Sequence, residues 1–252
     1  MKKILSKNYI INIIAIGLLI VAWQCICFAI NETLVFPSII TITTTAINML
    51  QTKLLWITYF DTIIMLFTAW AILCISIAIT ICLCWIFPFF RKIIECYCGY
   101  FTPLPSFVLI PFLVLIFGLS SNVVIVVVVF SVYFATCYQI LSAFDTIKLT
   151  WEKHVQNLNW GIKQSFIHVY LPATAPIIIS LCSTSWAYMW RTLISLEVVF
   201  GNIGGYHGLG TYMIDVKSTM DIDKMYVIVC IIAINGYVIS KLFDKVSQKL
   251  KW

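Results

Sequence analysis

Residues 145–168 read DTIKLTWEKHVQNLNWGIKQSFIH, a polar stretch in a chain that is otherwise mostly apolar. Within it, Trp151, Val155, Leu158 and Ile162 follow one another at steps of three or four residues. That spacing places them on one face of a helix, while the charged and amide side chains between them cover the opposite face. The stretch therefore predicts an amphipathic helix that needs a partner for its apolar face.

The composition around this stretch decides the class of protein. Hydrophobic residues make up 62% of the chain and charged residues 10%, whereas globular chains carry about 25% charge. The chain is thus predicted to be an all-α, polytopic integral membrane protein. We find no acidic or basic tail that would indicate nucleic-acid binding, and the positive balance is typical of membrane topology.

Apolar runs of sufficient length predict six transmembrane helices. Residues 96–144 carry no charge over roughly two span lengths, and the only credible turn within them is Gly118-Leu119-Ser120-Ser121-Asn122. The six predicted spans are Ile10–Ile30, Thr58–Phe87, Ile93–Phe117, Val123–Ala143, Leu171–Phe200 and Lys224–Phe243. We expect residues 1–53 to form the first span and a surface segment, and residues 54–252 a five-helix core with a polar loop at 145–170.

The amino-terminal part has two further features. The apolar run after Lys7 is too long for a signal peptide and lacks a small-residue cleavage site, so the first span is expected to stay uncleaved. Phe36-Pro37-Ser38 precedes a run from Ile39 to Leu50 with apolar residues at helical spacing. This pattern predicts a short helix along the outer membrane surface.

Basic residues predict the orientation of the chain. With these spans, twelve Lys and Arg residues fall on one side of the membrane and four elsewhere, namely Lys53, Arg191, Lys217 and Lys224. Because short cytosolic loops carry the excess of positive charge, both termini are expected in the cytosol.

Three prolines interrupt the predicted third span at Pro103, Pro105 and Pro111. Each removes a backbone donor, so we expect this helix to be broken or kinked near the middle of the membrane. Unpaired carbonyls at such a depth are tolerated where they face protein or a watery path. The prolines are therefore candidates for a translocation pathway, with a kink used only for packing as the alternative.

Ten cysteines invite a metal or disulfide interpretation, yet most lie within apolar runs, where cysteine behaves as a small hydrophobic residue. The pairs Cys25/Cys27, Cys82/Cys84 and Cys96/Cys98 are two residues apart, so on a helix their thiols point to different faces. The sequence predicts no metal site. The three histidines show neither ligand spacing nor a nearby acid and are expected at the surface. No nucleophile and base recur at chemical spacing, so no catalytic site is predicted.

Several segments together resemble the permeases of type I ABC importers, and in particular their nitrate, sulfonate and taurine class. They are the stretch from Leu158 to Leu171-Pro172, the proline-rich run Thr102–Gly118, Glu197-Val198-Val199-Phe200 and Gly208-Leu209-Gly210. The glutamate-alanine-alanine positions of the cytoplasmic signature are Lys153-His154-Val155 here. Its turn glycine falls on Asn159, a residue that tolerates a left-handed backbone.

This resemblance implies partners for the chain. An ATPase subunit would dock on the polar loop through residues that we expect to couple the two proteins: Trp151, Val155, Leu158, Asn159, Gly161, Ile162, Leu171 and Pro172. Since the chain has no G-x-x-x-x-G-K-[ST] loop, ATP and Mg would be held by two ATPase subunits, with no cofactor in this chain. The remaining implied partners are a second copy of the chain and an extracellular substrate-binding protein or lipoprotein, in the bacterial cytoplasmic membrane.

Two charged residues of the fifth span, Arg191 and Glu197, are candidates for the pathway, because a charge inside a span is costly and usually functional. They are six residues apart and do not face one another, so each is expected to meet another helix. Gly208 and Gly210, in the segment after this span, are expected only to allow a turn.

The substrate prediction follows from Arg191, since a cation in a low-dielectric path favours a small anion such as a sulfonate or nitrate. A neutral heterocycle stays open, because Trp186, Tyr188 and Trp190 could stack on a flat ring, although an interfacial aromatic belt is the role we expect for them. An ion-coupled secondary transporter is the rival class. It would show inverted repeats and acids near the middle of its spans, which we do not find here.

Overall fold

The structure is a computed structural model that describes the backbone of residues 2–30, 35–157, 161–202 and 205–249. Within these ranges the chain is mostly helical and contains no strand. The α-helices are α1 Lys2–Ile30, α2 Ile39–Leu50, α3 Lys53–Ile86, α4 Pro88–Phe101, α5 Ile110–Phe117, α6 Ser121–Asn157, α7 Ile162–Ser165, α8 Leu171–Phe200, α9 Leu209–Ser218 and α10 Ile222–Lys249. A 3₁₀ helix at Ser106–Leu109 precedes α5, and a π-helical turn at Phe166–Tyr170 precedes α8.

Four helices of the described ranges are long and apolar enough to cross a membrane, and they confirm the predicted second, fourth, fifth and sixth spans. The bent pair α4 and α5 supplies a fifth span at most. The predicted first span lies within α1, whose described apolar part, Ile14–Ile30, is shorter than a full crossing. The all-α polytopic fold is thus confirmed, and its sixth crossing depends on α1.

The core lies where α3, α6 and α8 meet. Leu66 on α3, Val127 and Val128 on α6, and Met189 and Leu193 on α8 are all fully buried. Several threonines of these helices donate their hydroxyl hydrogens to carbonyls of their own helix, as Thr58 does to Leu55 at 3.0 Å, so these donors need no other acceptor in an apolar medium. Aliphatic side chains packed against one another hold the three helices together.

Helix α2 forms where predicted, because Ser38 provides an N-cap. Its hydroxyl oxygen accepts a hydrogen bond from the Thr41 amide at 3.2 Å, which satisfies one of the free donors of the first turn. The predicted apolar face is the packed one: Met49 is buried, and Ile42 and Ala46 contact the core. Helix α2 packs against α10, and its place along the membrane surface stays a prediction.

The predicted third span is broken, as the prolines indicated, and the break is sharper than a kink. Helix α4 begins at Pro88, five residues before the predicted start, because proline is well suited to the first turn of a helix. After α4 the chain bends by 98° before it continues at Ser106. Pro103 and Pro105 lie at this bend, whereas Pro111 lies in the first turn of α5, where its missing donor is not needed.

The predicted helix of the polar stretch is present as far as Asn157, but as the continuation of α6 rather than as a separate element. Helix α6 continues for 37 residues, from Ser121 through the whole apolar run and on to Asn157. No glycine or proline lies between these two residues, so nothing stops the helix when its side chains become polar. The polar loop shrinks to the segment after residue 157, of which residues 158–160 lie outside the described ranges.

Candidate functional site

A stripe of polar side chains runs along one face of α8. Ser180, Thr184, Tyr188, Arg191 and Ser195 follow one another at steps of three or four residues, and all five are exposed. We call these five residues the polar stripe. The opposite face of the same helix is packed into the core. A helix that is polar on its exposed face is unsuited to contact lipid with that face, because hydrocarbon offers no hydrogen-bonding partner.

The hydroxyl groups of the polar stripe donate to their own helix. Thr184 Oγ1 donates to the Ser180 carbonyl at 3.0 Å, and Ser195 Oγ donates to the Arg191 carbonyl at 2.8 Å. Their protons are therefore satisfied locally, while the oxygen lone pairs remain available to water or to a solute. The hydroxyl groups of the stripe can therefore accept hydrogen bonds from water or a solute while their own hydrogens stay paired.

Arg191 carries the positive charge of the stripe. Its guanidinium carbon lies 5.1 Å from the centre of the Tyr188 ring, a cation–π arrangement that holds the side chain along the helix. Among the described residues no carboxylate forms an ion pair with it. A cation without a fixed counter-ion can attract an anionic solute.

Two cavities meet at Arg191. One, of about 350 Å³, is bordered by Ser180, Thr184 and Ser240 as well as by Arg191. The other, of about 400 Å³, has Arg191 and Ser195 on one side and the 3₁₀ segment on the other: its lining residues are Ser106, Phe107, Ile110, Arg191, Thr192, Ser195, Leu196, Val199 and Phe200. The structure thus brings together two predicted pathway elements, Arg191 and the proline break.

The prolines themselves do not border this second cavity. Pro103 and Pro105 lie before it in the chain, at the 98° bend, and they present Ser106 and Phe107 to it. Pro111 is exposed and follows the segment that lines the cavity. The prolines act by setting the path of the backbone, and the lining side chains come from the residues between them.

Glu197 lies away from the polar stripe, with only 2% of its surface exposed. Its carboxylate accepts hydrogen bonds from the Gly210 amide at 2.7 Å, from the Thr62 hydroxyl at 3.0 Å and from the phenol of Tyr206. As predicted, it is not paired with Arg191 and meets another helix, α3. We call Glu197, Thr62, Tyr206, Gly208 and Gly210 the Glu197 cluster.

Thr62 and Tyr206 contribute to the hydrogen bonding of the Glu197 cluster in different ways. Thr62 Oγ1 also accepts the Leu209 amide at 2.8 Å, so one hydroxyl joins α3 to the start of α9. Burial, and next to it the charge of Glu197, raises the pKa of the Tyr206 phenol well above its usual value. Tyr206 therefore stays protonated and keeps donating to the carboxylate at any physiological pH.

The two glycines of the Glu197 cluster correct the prediction that they only allow a turn. Gly208 has an extended backbone and Gly210 is helical, and neither has a positive φ. A Cβ atom on Gly208 would lie 2.2 Å from Glu197 Oε1, and one on Gly210 would lie 2.6 Å from Glu197 Cβ. Glycine is needed at both positions because the chain of α9 passes directly against the Glu197 side chain.

A histidine near this cluster also departs from prediction. His207 is half-buried, and its Nε2 lies 2.6 Å from Asp215 Oδ2, so it has an acidic partner on α9. Because the two residues are eight positions apart in the sequence, no short-range pattern predicted this pair. His168 is exposed as predicted, and the side chain of His154 lies outside the described residues.

The aromatic belt predicted for the fifth span was wrong for two of its three members. Trp186 and Trp190 are each only 4% exposed. Trp186 packs edge-on against Phe67, with ring centres 4.7 Å apart. Only Tyr188 of the three is exposed, and its ring is already covered by Arg191. The two tryptophans fill the core between α8 and its neighbours.

The predicted coupling residues are only partly described. Trp151 is exposed and Val155 packs against the core, both on α6, while Gly161 and Pro172 are exposed. Leu171 borders an apolar cavity of about 350 Å³ between α3, α6 and α8. Leu158 and Asn159, and the side chain of Ile162, lie outside the described residues, so the predicted apolar stripe stays a prediction.

Metal ligation has little support in the part of the chain that the structure describes. It contains no group of three or more His, Cys, Asp or Glu side chains placed to hold a metal ion. The cysteines there are free thiols.

Comparison with known protein families finds a match over most of the chain. The family model described as "Binding-protein-dependent transport system inner membrane component" matches residues 85–252, which include α4 to α10. No curated protein matches the chain.

Proposed function

We propose that this chain, which belongs to the family of binding-protein-dependent transport system inner membrane components, the permeases of type I ABC importers, carries a small anion such as a sulfonate or nitrate. The family accounts for a permease subunit with several membrane-spanning helices and no catalytic role. The substrate, the number of subunits and the orientation of the termini are the proposal.

Arg191 is the observation that carries the anion assignment. It is exposed on a polar face of α8, borders two cavities and has no ion-pair partner among the described carboxylates. Inside a membrane an unneutralised guanidinium is unfavourable unless a solute or water compensates it. A small anion entering this path would supply the missing counter-charge and gain from the low dielectric around it.

The packing of the aromatic side chains favours the anion over a neutral heterocycle. Flat rings are usually bound between exposed aromatic faces. Trp186 and Trp190 are buried in the core, and the Tyr188 face is occupied by the Arg191 guanidinium. The polar stripe thus offers hydroxyl groups and a cation to a solute, rather than a stacking platform.

We infer a homodimer as the working permease. The polar stripe lies on an exposed face, so one chain supplies only one wall of a pathway. A two-fold copy of the same stripe would close it and would remove the polar groups from contact with lipid. A different permease chain that co-purifies in equal amount would contradict this.

Energy for transport is proposed to come from two ATPase subunits that bind ATP and Mg and dock after residue 157, at the end of α6. An extracellular substrate-binding protein or lipoprotein would deliver the anion from the opposite side. Both termini would then be cytosolic. No cofactor is proposed for the permease itself.

The test of the anion assignment combines two measurements. Calorimetry on the binding protein with taurine, nitrate and a thiamine-type pyrimidine identifies the solute, and uptake into proteoliposomes then compares wild type with Arg191→Gln and Arg191→Lys. We expect tight binding of an anion, and uptake reduced about tenfold in Arg191→Gln but less in Arg191→Lys. Tight binding of only the neutral ring, or full uptake in Arg191→Gln, would contradict the proposal.

The docking of the ATPase has a separate test. Leu158→Asp together with Ile162→Asp places carboxylates on the predicted apolar stripe, and we expect the ATPase to dissociate or to hydrolyse ATP without transport. Thr150→Asp is the control, since Thr150 is exposed on α6 and is not one of the residues of the predicted stripe. Uptake driven by an ion gradient, without any ATPase subunit, would instead support a secondary transporter.

A further inference from the structure

Helix α4 lies antiparallel against the second half of α6, in a register that three pairs of residues define. Ile94 and Leu141 belong to the same buried cluster, and the pairs are Arg91 with Asp145, Cys98 with Cys137, and Phe101 with Phe134. The two rings of the last pair are stacked with their centres 4.9 Å apart. One end of α4 is thus fixed by an ion pair and the rest by apolar packing.

Arg91 joins two carboxylates with one guanidinium, one on its own helix and one on α6. Its Nε donates to Glu95 Oε1 at 2.8 Å on its own helix, and its Nη2 donates to Asp145 Oδ2 on α6. We call Arg91, Glu95 and Asp145 the Arg91 cluster. A planar guanidinium can hold two carboxylates in fixed directions, which a lysine ammonium cannot do.

The two ends of α4 lead to different parts of the transport machinery. At the end opposite to Arg91, the chain bends by 98° and enters the 3₁₀ helix that borders the cavity at Arg191. Beyond Asp145, α6 continues without a break for twelve more residues, to Asn157 at the segment proposed to dock on the ATPase. The α4–α6 contact is therefore one physical connection between the docking segment and the cavity, beside the packing of the 3₁₀ helix and α5 against α6 and the path along α8.

We propose that Arg91 is a positioning residue for transport, which locks α4 onto α6 so that movement of the ATPase displaces the 3₁₀ helix Ser106–Leu109 beside Arg191. This inference rests on the proposed function, since it needs an ATPase at the end of α6. A displaced α6 carries α4 with it only while both ends of the contact hold. Without the ion pair, the end of α4 next to the docking segment can lag behind α6.

The test measures solute taken up per ATP hydrolysed, in proteoliposomes that hold the permease, the ATPase subunits and the binding protein, with taurine or nitrate as the probe. For Arg91→Gln and for Asp145→Asn we expect the ratio to fall about fivefold or more, with ATP hydrolysis continuing. The charge-swapped protein with Arg91→Asp and Asp145→Arg should recover much of the ratio, because the same pair forms with its signs exchanged.

Lys224→Gln is the matched control. Lys224 also forms an exposed ion pair, in which its Nζ lies 2.6 Å from Oδ2 of Asp221, three residues earlier in the chain. This pair does not join α4 to α6. Its loss should leave the ratio unchanged. An unchanged ratio in both single variants of the Arg91 pair, or a swapped protein that folds and does not recover, would overturn the inference.

A second measurement avoids any change at Arg91. In a variant whose other cysteines are replaced, oxidation with iodine joins Cys98 and Cys137, whose buried thiols contact each other, in a disulfide cross-link that fixes α4 to α6. If the two helices move as one body, the cross-linked protein transports normally, whereas transport that stops on cross-linking contradicts the inference. Wild-type protein that shows no ATP-driven uptake would contradict the proposed function itself.

Discussion

The Glu197 cluster and the Arg91 cluster both tie distant parts of the chain together, but by opposite means. At Glu197 a nearly fully buried carboxylate is held by neutral donors from α3, the α8–α9 segment and α9, with two glycines packed against it. At Arg91 the three side chains are charged, and they remain 27% to 50% exposed. One connection is enclosed and the other is open to its surroundings.

This difference in burial predicts that the contacts of the Glu197 cluster stay formed, whereas those of the Arg91 cluster can break and re-form. A buried hydrogen bond whose partner is removed leaves an unsatisfied group, which is expensive where no water can replace it. Exposed ion pairs contribute little net stability and are screened by salt, so they can break and re-form. We therefore expect substitutions in the Glu197 cluster to reduce stability and those in the Arg91 cluster to change transport instead.

The largest expected effect is that of Gly208→Ala. The new methyl carbon would lie 2.2 Å from Glu197 Oε1 and 2.6 Å from Thr62 Oγ1, and both atoms are held by hydrogen bonds. We expect a loss of about 3 kcal/mol or more in the free energy of unfolding. Thermal unfolding in detergent measures it, with Gly99→Ala as the control, because no atom lies within 4 Å of a Cβ there. Equal melting temperatures for the two variants would refute the close packing.

Glu197→Ala should cause the second-largest loss in the free energy of unfolding. It leaves the phenol of Tyr206 and the Gly210 amide without their acceptor, at a cost of about 2 to 3 kcal/mol. Glu197→Gln keeps one acceptor oxygen and should lose about half as much. Unfolding of the two variants side by side makes the comparison, and a glutamine variant that is no more stable than the alanine variant would show that the acceptor oxygens do not hold the cluster.

Thr62→Val tests a single hydroxyl. The valine fills the same space but leaves the Leu209 amide without an acceptor, so we expect a loss of about 1 to 2 kcal/mol. Thr58→Val is the matched control, one turn away and equally buried, because its hydroxyl donates only to carbonyls of its own helix. If both variants unfold at the same temperature, the hydroxyl of Thr62 does not join α3 to α9.

The smallest expected effect on stability is that of Arg91→Gln. With partners this exposed, the loss should stay within about 1 kcal/mol and should shrink further at high salt. Unfolding at low and high salt measures it. A loss as large as that of Glu197→Ala would remove the distinction between the two clusters.

The sequence predicted breaks and turns correctly where glycine or proline residues determine the local backbone conformation. The turn at Gly118 and the break at Pro103 and Pro105 follow from residues that restrict or free the backbone nearby. The predicted start of the fifth span at Leu171-Pro172 was too late, because the helix already runs through the π-helical turn at Phe166–Tyr170. The same reasoning ended α6 too early, because a change in polarity reports on the surrounding medium rather than on the end of a helix. Gly161, the first glycine after Gly118, was the better signal.

The contacts of the two clusters could not have been predicted from one sequence. Thr62 and Glu197 are 135 residues apart, and Arg91 and Asp145 are 54 apart, so no periodic pattern connects them. The spacing of Arg91 and Glu95 does indicate an ion pair within one helix turn. Gly208 and Gly210 signalled a close approach, but only the fold identifies Glu197 as the side chain that they meet.

The unbroken length of α6 has a mechanical consequence. Thirty-seven residues form a rod of about 55 Å, at 1.5 Å per residue, which is well beyond the roughly 30 Å of a bilayer core. Pivoting by about 10° around its middle, such a rod moves each tip by about 5 Å, since each arm is about 27 Å long. Because both arms have the same length, a displacement at one end of α6 produces an equal and opposite displacement at the other end. The bending stiffness of the helix, rather than the energy of its contacts, then limits how much movement it transmits.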